Sequence, residues 1–455
     1  MKFIKNKYTK ALLKVIPGGA HTYSRGADQY PFNAPSILSG GKGSYIFDQN
    51  NKIYLDYGMG LRSVNIGYSE KEINNAAIKQ INNGNNLTRP SLIELKAANL
   101  LTKIIKSADM VKFTKNGSTA VTAAVKLARA YTGKNIVLRC LDHPFFSYDD
   151  WFIGSTVVDR GIPKAVSKMT INFKYNDILG LKKLVKKYHK KISCIILEPA
   201  ATECPKINNL RGCCEKDRCT RDYKNNKHFL KEVEKICKEN NIVFILDEMI
   251  TGFRWHLFGA QHLYNVNPDL STFGKAMANG FSVACVCGKR DIMELGSITN
   301  ANQERVFLLS TTHGAEMSSL GAFIQTVNFI KKNEVIKKNW NYGYELMSKT
   351  NQISNDMGLG DYFFISGPAG SPIYSCLDNN KRPSLEFRTL FMQEMIKNNV
   401  FMPWIAISYR HGDKELQKTL KAIENSLKIY KKALLDGPKK FIIGHIIKPV
   451  FRKFN

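Results

Sequence analysis

Between about residues 70 and 310 the chain alternates helical stretches with short runs that stay apolar on both sides of the backbone. No other feature limits its fold as strongly. Ile192-Ser193-Cys194-Ile195-Ile196-Leu197, Ile242-Val243-Phe244-Ile245-Leu246 and Val283-Ala284-Cys285-Val286-Cys287-Gly288 read as strands, as do Met110-Val111-Lys112-Phe113-Thr114 and Asn135-Ile136-Val137-Leu138-Arg139. Helical spacing runs from Glu94 to Ile105, from Thr119 to Tyr131 and from Phe229 to Asn240. A strand with one wet face alternates apolar and polar residues. A run that does not alternate must be covered on both faces, and helices between such runs do the covering. The pattern therefore predicts an α/β fold around a mostly parallel sheet.

The flanks differ. Residues 1–60 read as a helix and a small β-element, with Ser44–Asp48 and Lys52–Asp56 forming a hairpin about Gln49-Asn50-Asn51. Glycine pairs at 18–19 and 40–41 punctuate this stretch. From Glu316 to about 435 a long helix, a helix over Leu385–Lys397 and a strand at Val400-Phe401-Met402 make a second α/β unit. At 455 residues the chain is long enough for two domains. The expected division is 1–65 (N-terminal part of the small domain), 66–315 (large domain), 316–437 (C-terminal small domain) and 438–455 (tail). The tail mixes basic with large apolar residues, as membrane-surface segments do, but Gly444 and Pro449 interrupt any continuous helix. Two readings stay open for it: weak contact with a membrane surface, or packing on the second domain or a partner subunit.

The formal net charge is +29, spread over lysines throughout the chain rather than gathered into a patch. It would draw anionic substrates or membrane surfaces, and no nucleic-acid partner is assigned. No apolar run reaches the ~20 residues a bilayer span needs, and no apolar stretch follows the basic start. The expected location is the cytoplasm. Several of the ten cysteines lie in strand-like runs and read as buried small hydrophobes in a reducing compartment. Cys204, Cys213, Cys214 and Cys219 cluster without a CxxC pair, and no metal site is assigned.

Chemistry concentrates at the ends of the predicted strands. Asp247-Glu248 closes the most apolar of them, and Lys275 follows among small residues in Gly274-Lys275-Ala276-Met277-Ala278-Asn279-Gly280. A buried carboxylate needs a cationic or donor partner to stay ionised. A protonated pyridine nitrogen is such a partner, and a lysine amine forms a Schiff base with an aldehyde. Pyridoxal phosphate (PLP) uses both groups. Asn116-Gly117-Ser118-Thr119 precedes an alanine-rich helix. Taken alone it is an N-cap, but beside the other two elements it is a candidate phosphate cup. Glu198, in Leu197-Glu198-Pro199, sits where α/β sheets bind ligands. Ser310-Thr311-Thr312-His313-Gly314 offers further hydroxyls ahead of a helix.

In their order and spacing these motifs resemble the class III aminotransferases, a fold-type I PLP-dependent family, and within it the glutamate-1-semialdehyde aminomutases. The resemblance spans about residues 10–435. Its most specific stretches are Asp247-Glu248-Met249-Ile250-Thr251-Gly252-Phe253-Arg254 and Gly274–Gly280. It implies a large domain with a mostly parallel seven-stranded sheet, a smaller α/β domain, and a homodimer whose active sites draw on both subunits. It also implies roles: Lys275 as Schiff-base lysine and proton carrier, Asp247 against the pyridinium nitrogen, Gly117 and Ser118 on the phosphate, Thr311 on the phosphate across the dimer interface, Glu198 on the ring-hydroxyl side, and Arg25 on a substrate carboxylate. The chain also departs from the aminomutases. Asp142 stands where they carry a ring-stacking tyrosine, leaving His143 or an aromatic from Phe145 to Tyr148 as the stacking candidate. Leu61, beside Arg62, replaces a tryptophan expected near the substrate. The implied cofactor machinery is thus complete and the substrate pocket altered.

Three functions are weighed. The first is a PLP-dependent aminotransferase passing an amino group from a donor amino acid to an aldehyde or ketone. Arg62 suits an anionic or sugar-linked acceptor in that case. The second is an aminomutase moving nitrogen within one molecule. The third is a non-catalytic protein of the same fold that binds polyanions or membranes. Retention of Lys275 and Asp247 argues against the third.

Overall fold

A computed structural model describes residues 7–455 except 202, 208–222, 224–226, 300 and 315. Cys213, Cys214 and Cys219 of the cysteine cluster lie outside the described residues, whereas Cys204 is a buried free thiol.

The strands in chain order are β1 (Leu38–Lys42), β2 (Tyr45–Asp48), β3 (Ile53–Asp56), β4 (Met110–Thr114), β5 (Ile136–Cys140), β6 (Thr170–Phe173), β7 (Ile192–Leu197), β8 (Val243–Asp247), β9 (Leu270–Phe273), β10 (Ala284–Gly288), β11 (Phe363–Ser366), β12 (Ile373–Cys376) and β13 (Val400–Phe401). Seven of them form one sheet in the order β4-β10-β9-β8-β7-β5-β6. Pairing is parallel from β6 to β9, and β10 alone runs against its neighbours. Every residue of β7, β8, β9 and β10 is buried, as the unbroken apolar runs require, while the edge strands β4 and β6 are partly exposed.

The helix expected from Thr119 starts at Gly117, because the Asn116 side chain caps it by accepting the Thr119 N–H. It ends at Gly133, whose φ of +65° makes the left-handed cap. Its buried face, including Val121, Ala124, Val125 and Leu127, lies on the sheet. Two strands of the large sheet have no counterpart in the sequence reading, β6 and β9. Both are four residues long, and β9 carries Ser271 and Thr272 in the middle of the sheet.

The predicted hairpin is β2–β3, with Tyr45 opposite Leu55. Beside it runs β13, parallel to β3 with Val400 opposite Leu55, so the C-terminal unit completes a sheet begun by the N-terminal strands. Leu55, Phe363, Phe391, Ile423 and Tyr430 belong to the core between them. After the last long helix, Asp413–Asp436, the tail makes one short turn and continues without regular structure. It packs on the fold: Ile447 is buried and Phe451 meets Phe152 edge-on with centroids 6.1 Å apart. Among the described residues no helix is long and apolar enough to cross a membrane.

Candidate active site

The carboxyl ends of β7, β8 and β9 lie side by side. Leu197 pairs with Leu246, and Asp247 with Thr272. Glu198, Asp247 and Lys275 therefore emerge at one edge of the sheet, where ligands of open α/β sheets bind. Asp247 Oδ1 accepts the Thr272 hydroxyl and the Met249 N–H, both at 3.0 Å. Its Oδ2 receives no hydrogen bond from the described residues. Burial pushes this carboxyl up to about 6, against the pull of the Met249 N–H, Lys275 and Thr272. The two polar residues that hid β9 from the sequence reading thus have uses. Thr272 orients Asp247, and Ser271 accepts from Gln261 at 3.4 Å.

Lys275 is half-buried, crowded by protein on most sides yet reachable from solvent, as a residue facing a cofactor pocket must be. Its φ is +41°, a left-handed conformation rarely adopted by a long side chain, and its amine makes no hydrogen bond or ion pair among the described residues. Burial lowers the amine pKa; Glu198 and Asp247 oppose that, while Arg62 and Arg254 add to it. Glu198 shifts the other way. Burial and then Asp247 raise it, with Lys275 and Arg62 pulling back. These groups act on one another in a low-dielectric cleft, the setting in which an amine is kept neutral enough to be a nucleophile. His143 lies against Glu198, whose backbone N–H donates to His143 Nδ1 at 2.9 Å. That bond leaves the ring proton on Nε2, and burial, with Arg139 adding to it, holds the imidazole neutral with a pKa near 3.

At the head of the Gly117–Thr132 helix, the Gly117 and Ser118 N–H groups have no acceptor among the described residues. They form an anion-binding end, as a phosphate requires. Met249 joins this end to the lysine loop. A Cβ on Gly117 would stand 2.8 Å from Met249 Sδ, and one on Gly274 would stand 2.6 Å from it. A side chain at either position would have to displace the Met249 thioether. The unpaired Asp247 oxygen, the two free N–H groups and the unpaired lysine amine are the donor and acceptor set that a phosphorylated pyridine aldehyde needs, so the residues fit PLP.

A left-handed turn walls the other side. Met59, Gly60, Leu61 and Arg62 have φ of +40°, +57°, +61° and +68°, a conformation that costs about 1–2 kcal/mol per non-glycine residue. Asp56 holds it. Oδ1 accepts the Gly58 N–H at 2.6 Å, and Oδ2 accepts the Met59 N–H at 2.8 Å and the Tyr68 hydroxyl at 2.6 Å. Tyr68 in turn accepts the Gly60 N–H at 2.7 Å. Arg254, fully buried, donates to the carbonyls of Arg62, Val64 and Ile407. The Arg62 guanidinium thereby comes over the Trp404 ring at 5.6 Å, close enough to Glu198 and Lys275 to shift both. Its Nε is buried without a hydrogen-bond partner among the described residues.

Of the residues picked out from sequence, Lys275, Asp247, Glu198, His143, Gly117, Ser118 and Arg62 converge here. Arg25 is exposed in a short turn, near enough to Tyr30 and Tyr68 to act on their hydroxyls. Thr311 is exposed in the loop ahead of Met317–Lys332. Of the stacking candidates, Phe146 and His143 are buried and Phe145 and Tyr148 exposed. The Tyr148 N–H donates to Ser118 Oγ at 3.3 Å. Asp56, Tyr68, Thr272, Arg254 and Trp404 were not picked out. Arg254 stood in the quoted Asp247–Arg254 motif and carried a signal; the others act through contacts distant in sequence.

The family Aminotransferase class-III matches residues 27–209 and 220–360. A glutamate-1-semialdehyde 2,1-aminomutase of Archaeoglobus fulgidus is 30% identical over 450 residues, covering 94% of this chain and 100% of the relative. A 3-aminobutyryl-CoA aminotransferase of Cloacimonas acidaminovorans is 29% identical, covering 92% of this chain and 96% of the relative. Among solved structures, the FumI protein of Sphingopyxis sp. MTA144, in its PLP internal aldimine form, superposes with a TM-score of 0.81 at 22% identity, covering 96% of this chain and 99% of that one.

Proposed function

The chain belongs to the class III aminotransferase family, and on that premise we propose that it is a PLP-dependent transaminase moving an amino group from a donor amino acid to an anionic or sugar-linked aldehyde or ketone. PLP, when bound, supplies an electron sink for the pair left behind when a proton departs from the donor's α-carbon. The chain's own groups do the rest. Lys275 Nζ holds the cofactor and then carries the proton between carbon atoms. Asp247 keeps the ring nitrogen protonated. Gly117 and Ser118 bind the phosphate through their N–H groups, with Thr311 of a second copy beside them in a homodimer. Glu198 takes the ring-hydroxyl side with His143 behind it, and Arg25 and Arg62 hold the anionic groups of the substrates.

The observation that carries this reading is Lys275 itself, strained, without a hydrogen bond or ion pair among the described residues, and near enough to two buried carboxylates at the strand ends, Glu198 and Asp247, for both to act on its amine. Reduction of the holoenzyme with borohydride followed by peptide mapping tests it. The cofactor mass is expected on the Lys275 peptide and lost in Lys275→Ala; label on another lysine overturns the assignment. Adding amino donors one at a time to the holoenzyme then reports the donor, and conversion by glutamate with release of 2-oxoglutarate supports transamination. A second reading is an aminomutase, supported by the 30% identity to such an enzyme over the whole of its length. Turnover of glutamate-1-semialdehyde without an added acceptor would favour it. The division into a large domain (66–315) and a small one built from 1–65 and 316–437 is supported by the strand membership of the sheets: the seven-stranded sheet takes only β4 to β10, while the four-stranded sheet joins β1–β3 to β13 and a two-stranded sheet pairs β11 with β12. The seven cysteines among the described residues, all buried and free, support a reducing, cytoplasmic setting.

A further inference from the structure

The segment that carries Arg25 has little of its own to hold it. Pro17–Gly19, Tyr23–Arg25 and Ala27–Gln29 are single turns of three residues each. Among the described residues their own hydrogen bonds are local: the N–H groups of Arg25, Gly26 and Gln29 reach back to Thr22, Tyr23 and Gly26, and the Tyr30 hydroxyl reaches the Ser24 carbonyl, while the Tyr30 ring that follows the turns stacks on Phe401 with centroids 5.4 Å apart. Short stretches held only by local bonds open easily.

The far end of the chain crosses this segment and is bonded to it. The Lys448 N–H donates to the Asp28 carbonyl at 2.9 Å, and Arg452 Nη2 meets Asp28 Oδ2 at 2.5 Å. The two side chains are only 23% and 16% exposed, so water screens this pair less than an ordinary surface one. His445 is buried against the backbone of Ala27 and Tyr30. Gly444, at φ +82°, passes so close to Phe32 that a Cβ would stand 2.6 Å from the Phe32 Cβ. On its other side the tail is tied to the Leu385–Lys397 helix. The Ile443 N–H donates to Gln393 Oε1 at 2.7 Å, Gln393 Nε2 donates to the Phe441 carbonyl at 2.9 Å, and the Ile447 N–H donates to Thr389 Oγ1 at 3.0 Å. Phe451 reaches Phe152 beside the large sheet.

We propose that residues 441–452 are a strap that positions the substrate-binding arginine: by clamping the Ala27–Gln29 turn to both the small-domain helix and the large sheet, they hold Arg25 at the mouth of the site. This rests on the reading that Arg25 contacts the substrate. Arg452 is its positioning residue and touches no substrate. An arginine already ordered in the free enzyme spares the substrate the ordering cost of a loop side chain, so the strap acts on binding and leaves the chemical step alone.

The test uses full-length holoenzyme and the amino acid that converts it fastest in the donor screen. Arg452→Ala is expected to raise KM roughly five- to tenfold with kcat within about twofold of wild type. Arg452→Lys should recover part of the loss, and Asp28→Asn should reproduce it. Combining Arg25→Ala with Arg452→Ala should be no worse than Arg25→Ala alone, because the strap acts only through Arg25. Without substrate, amide exchange in Arg452→Ala should rise over residues 21–30 and stay unchanged in β7 to β9. If Arg25→Ala raises KM and Arg452→Ala changes neither KM nor exchange, the strap is refuted and the role of Arg25 stands. If Arg25→Ala leaves KM unchanged, the assignment of Arg25 fails and the positioning role falls with it. Additive losses in the double variant also overturn the proposal.

Discussion

Gly117→Ala puts one methyl group where the phosphate cup and the lysine loop meet. The new Cβ would lie 2.8 Å from Met249 Sδ, 3.3 Å from its Cγ and 3.5 Å from its Cε. Unstrained contacts sit at about 3.5–4.0 Å, so the sulfur has to retreat by about 1 Å. The room behind it is limited. Met249 also lies against Gly274, packs with Ala120 and Ala284, and its N–H is bonded to Asp247. Either Met249 moves and disturbs Asp247, or the helix start moves and carries the Gly117 and Ser118 N–H groups with it. Overpacking of this kind costs about 1–3 kcal/mol. Because the displaced groups are the proposed cofactor contacts, most of that cost should appear in PLP affinity, as about a 5- to 150-fold weaker Kd at 1.4 kcal/mol per tenfold. Titration of cofactor-free protein with PLP, followed by absorbance, measures it. Met249→Ala in the same chain removes the obstacle, and the double variant should recover at least tenfold of what Gly117→Ala loses. If the double variant binds no better than Gly117→Ala, the steric argument is wrong. If Gly117→Ala binds like wild type, Gly117 is not at the phosphate.

Asp247 has to be ionised to hold a ring-nitrogen proton, and burial brings its carboxyl to about 6 in the cofactor-free protein. PLP affinity should therefore fall about tenfold per unit as pH drops below about 6, and Asp247→Asn should be weak and flat over the same range. Folding responds with the opposite sign: an Asp raised from about 3.9 makes the cofactor-free fold less stable as pH climbs from about 4 to 6, which urea unfolding at the two pH values can check. Arg62→Gln removes a cation that lowers the Lys275 amine, so the pH midpoint for reaction of cofactor-free protein with PLP should move up; an unmoved midpoint refutes the coupling. Gly343→Ala sets a Cβ 1.8 Å from the Ala369 carbonyl oxygen within the Val335–Asp356 helix. Although alanine favours a helix by about 1 kcal/mol, the variant should be less stable by about 2 kcal/mol or more, seen as a lower melting temperature.

The large sheet was legible because five of its strands, β4, β5, β7, β8 and β10, are short apolar runs, and parallel packing leaves little choice about where such runs go. What stayed hidden is instructive. β9 is central and fully buried, yet Ser271 and Thr272 interrupt its apolar pattern because one meets Gln261 and the other orients Asp247. Local pattern fails there because the site displaces hydrophobicity. Asp247 and Glu198 were legible as carboxylates closing apolar runs and Gly117 as part of a helix start, and they occupy the end of β8, the end of β7 and the head of the Gly117–Thr132 helix, while Lys275 follows the unread strand β9. The left-handed turn at Met59–Arg62 was not legible, since three of its four residues are poor candidates for that conformation and Asp56 and Tyr68 supply the hold from outside it. Nor could the tail's partner have been read. Asp28 and Arg452 are separated by nearly the whole chain, and a charged pair carries no pattern of its own.

The arrangement at the strand ends runs against stability, which is itself informative. A fold that leaves Lys275 at φ +41° with no hydrogen bond on its amine among the described residues has taken on backbone strain together with an amine whose charged form burial disfavours. Replacing that side chain by methionine keeps its length and removes the charge, and such exchanges of buried charge for hydrocarbon are often stabilising by about 1–4 kcal/mol. The gain depends on the neighbours. Above about pH 6 Asp247 is ionised and loses its cationic partner in the variant, which offsets much of the benefit; below about pH 6 it is protonated, and Glu198, also raised by burial, is protonated with it. Lys275→Met should therefore melt higher than the cofactor-free wild type at pH 5, with a smaller difference or none at pH 8, while failing to retain PLP under borohydride at either pH. A variant that melts lower at pH 5 would mean that Lys275 contributes to the fold through its charge. The strain at its backbone would then need a structural explanation in place of a catalytic one.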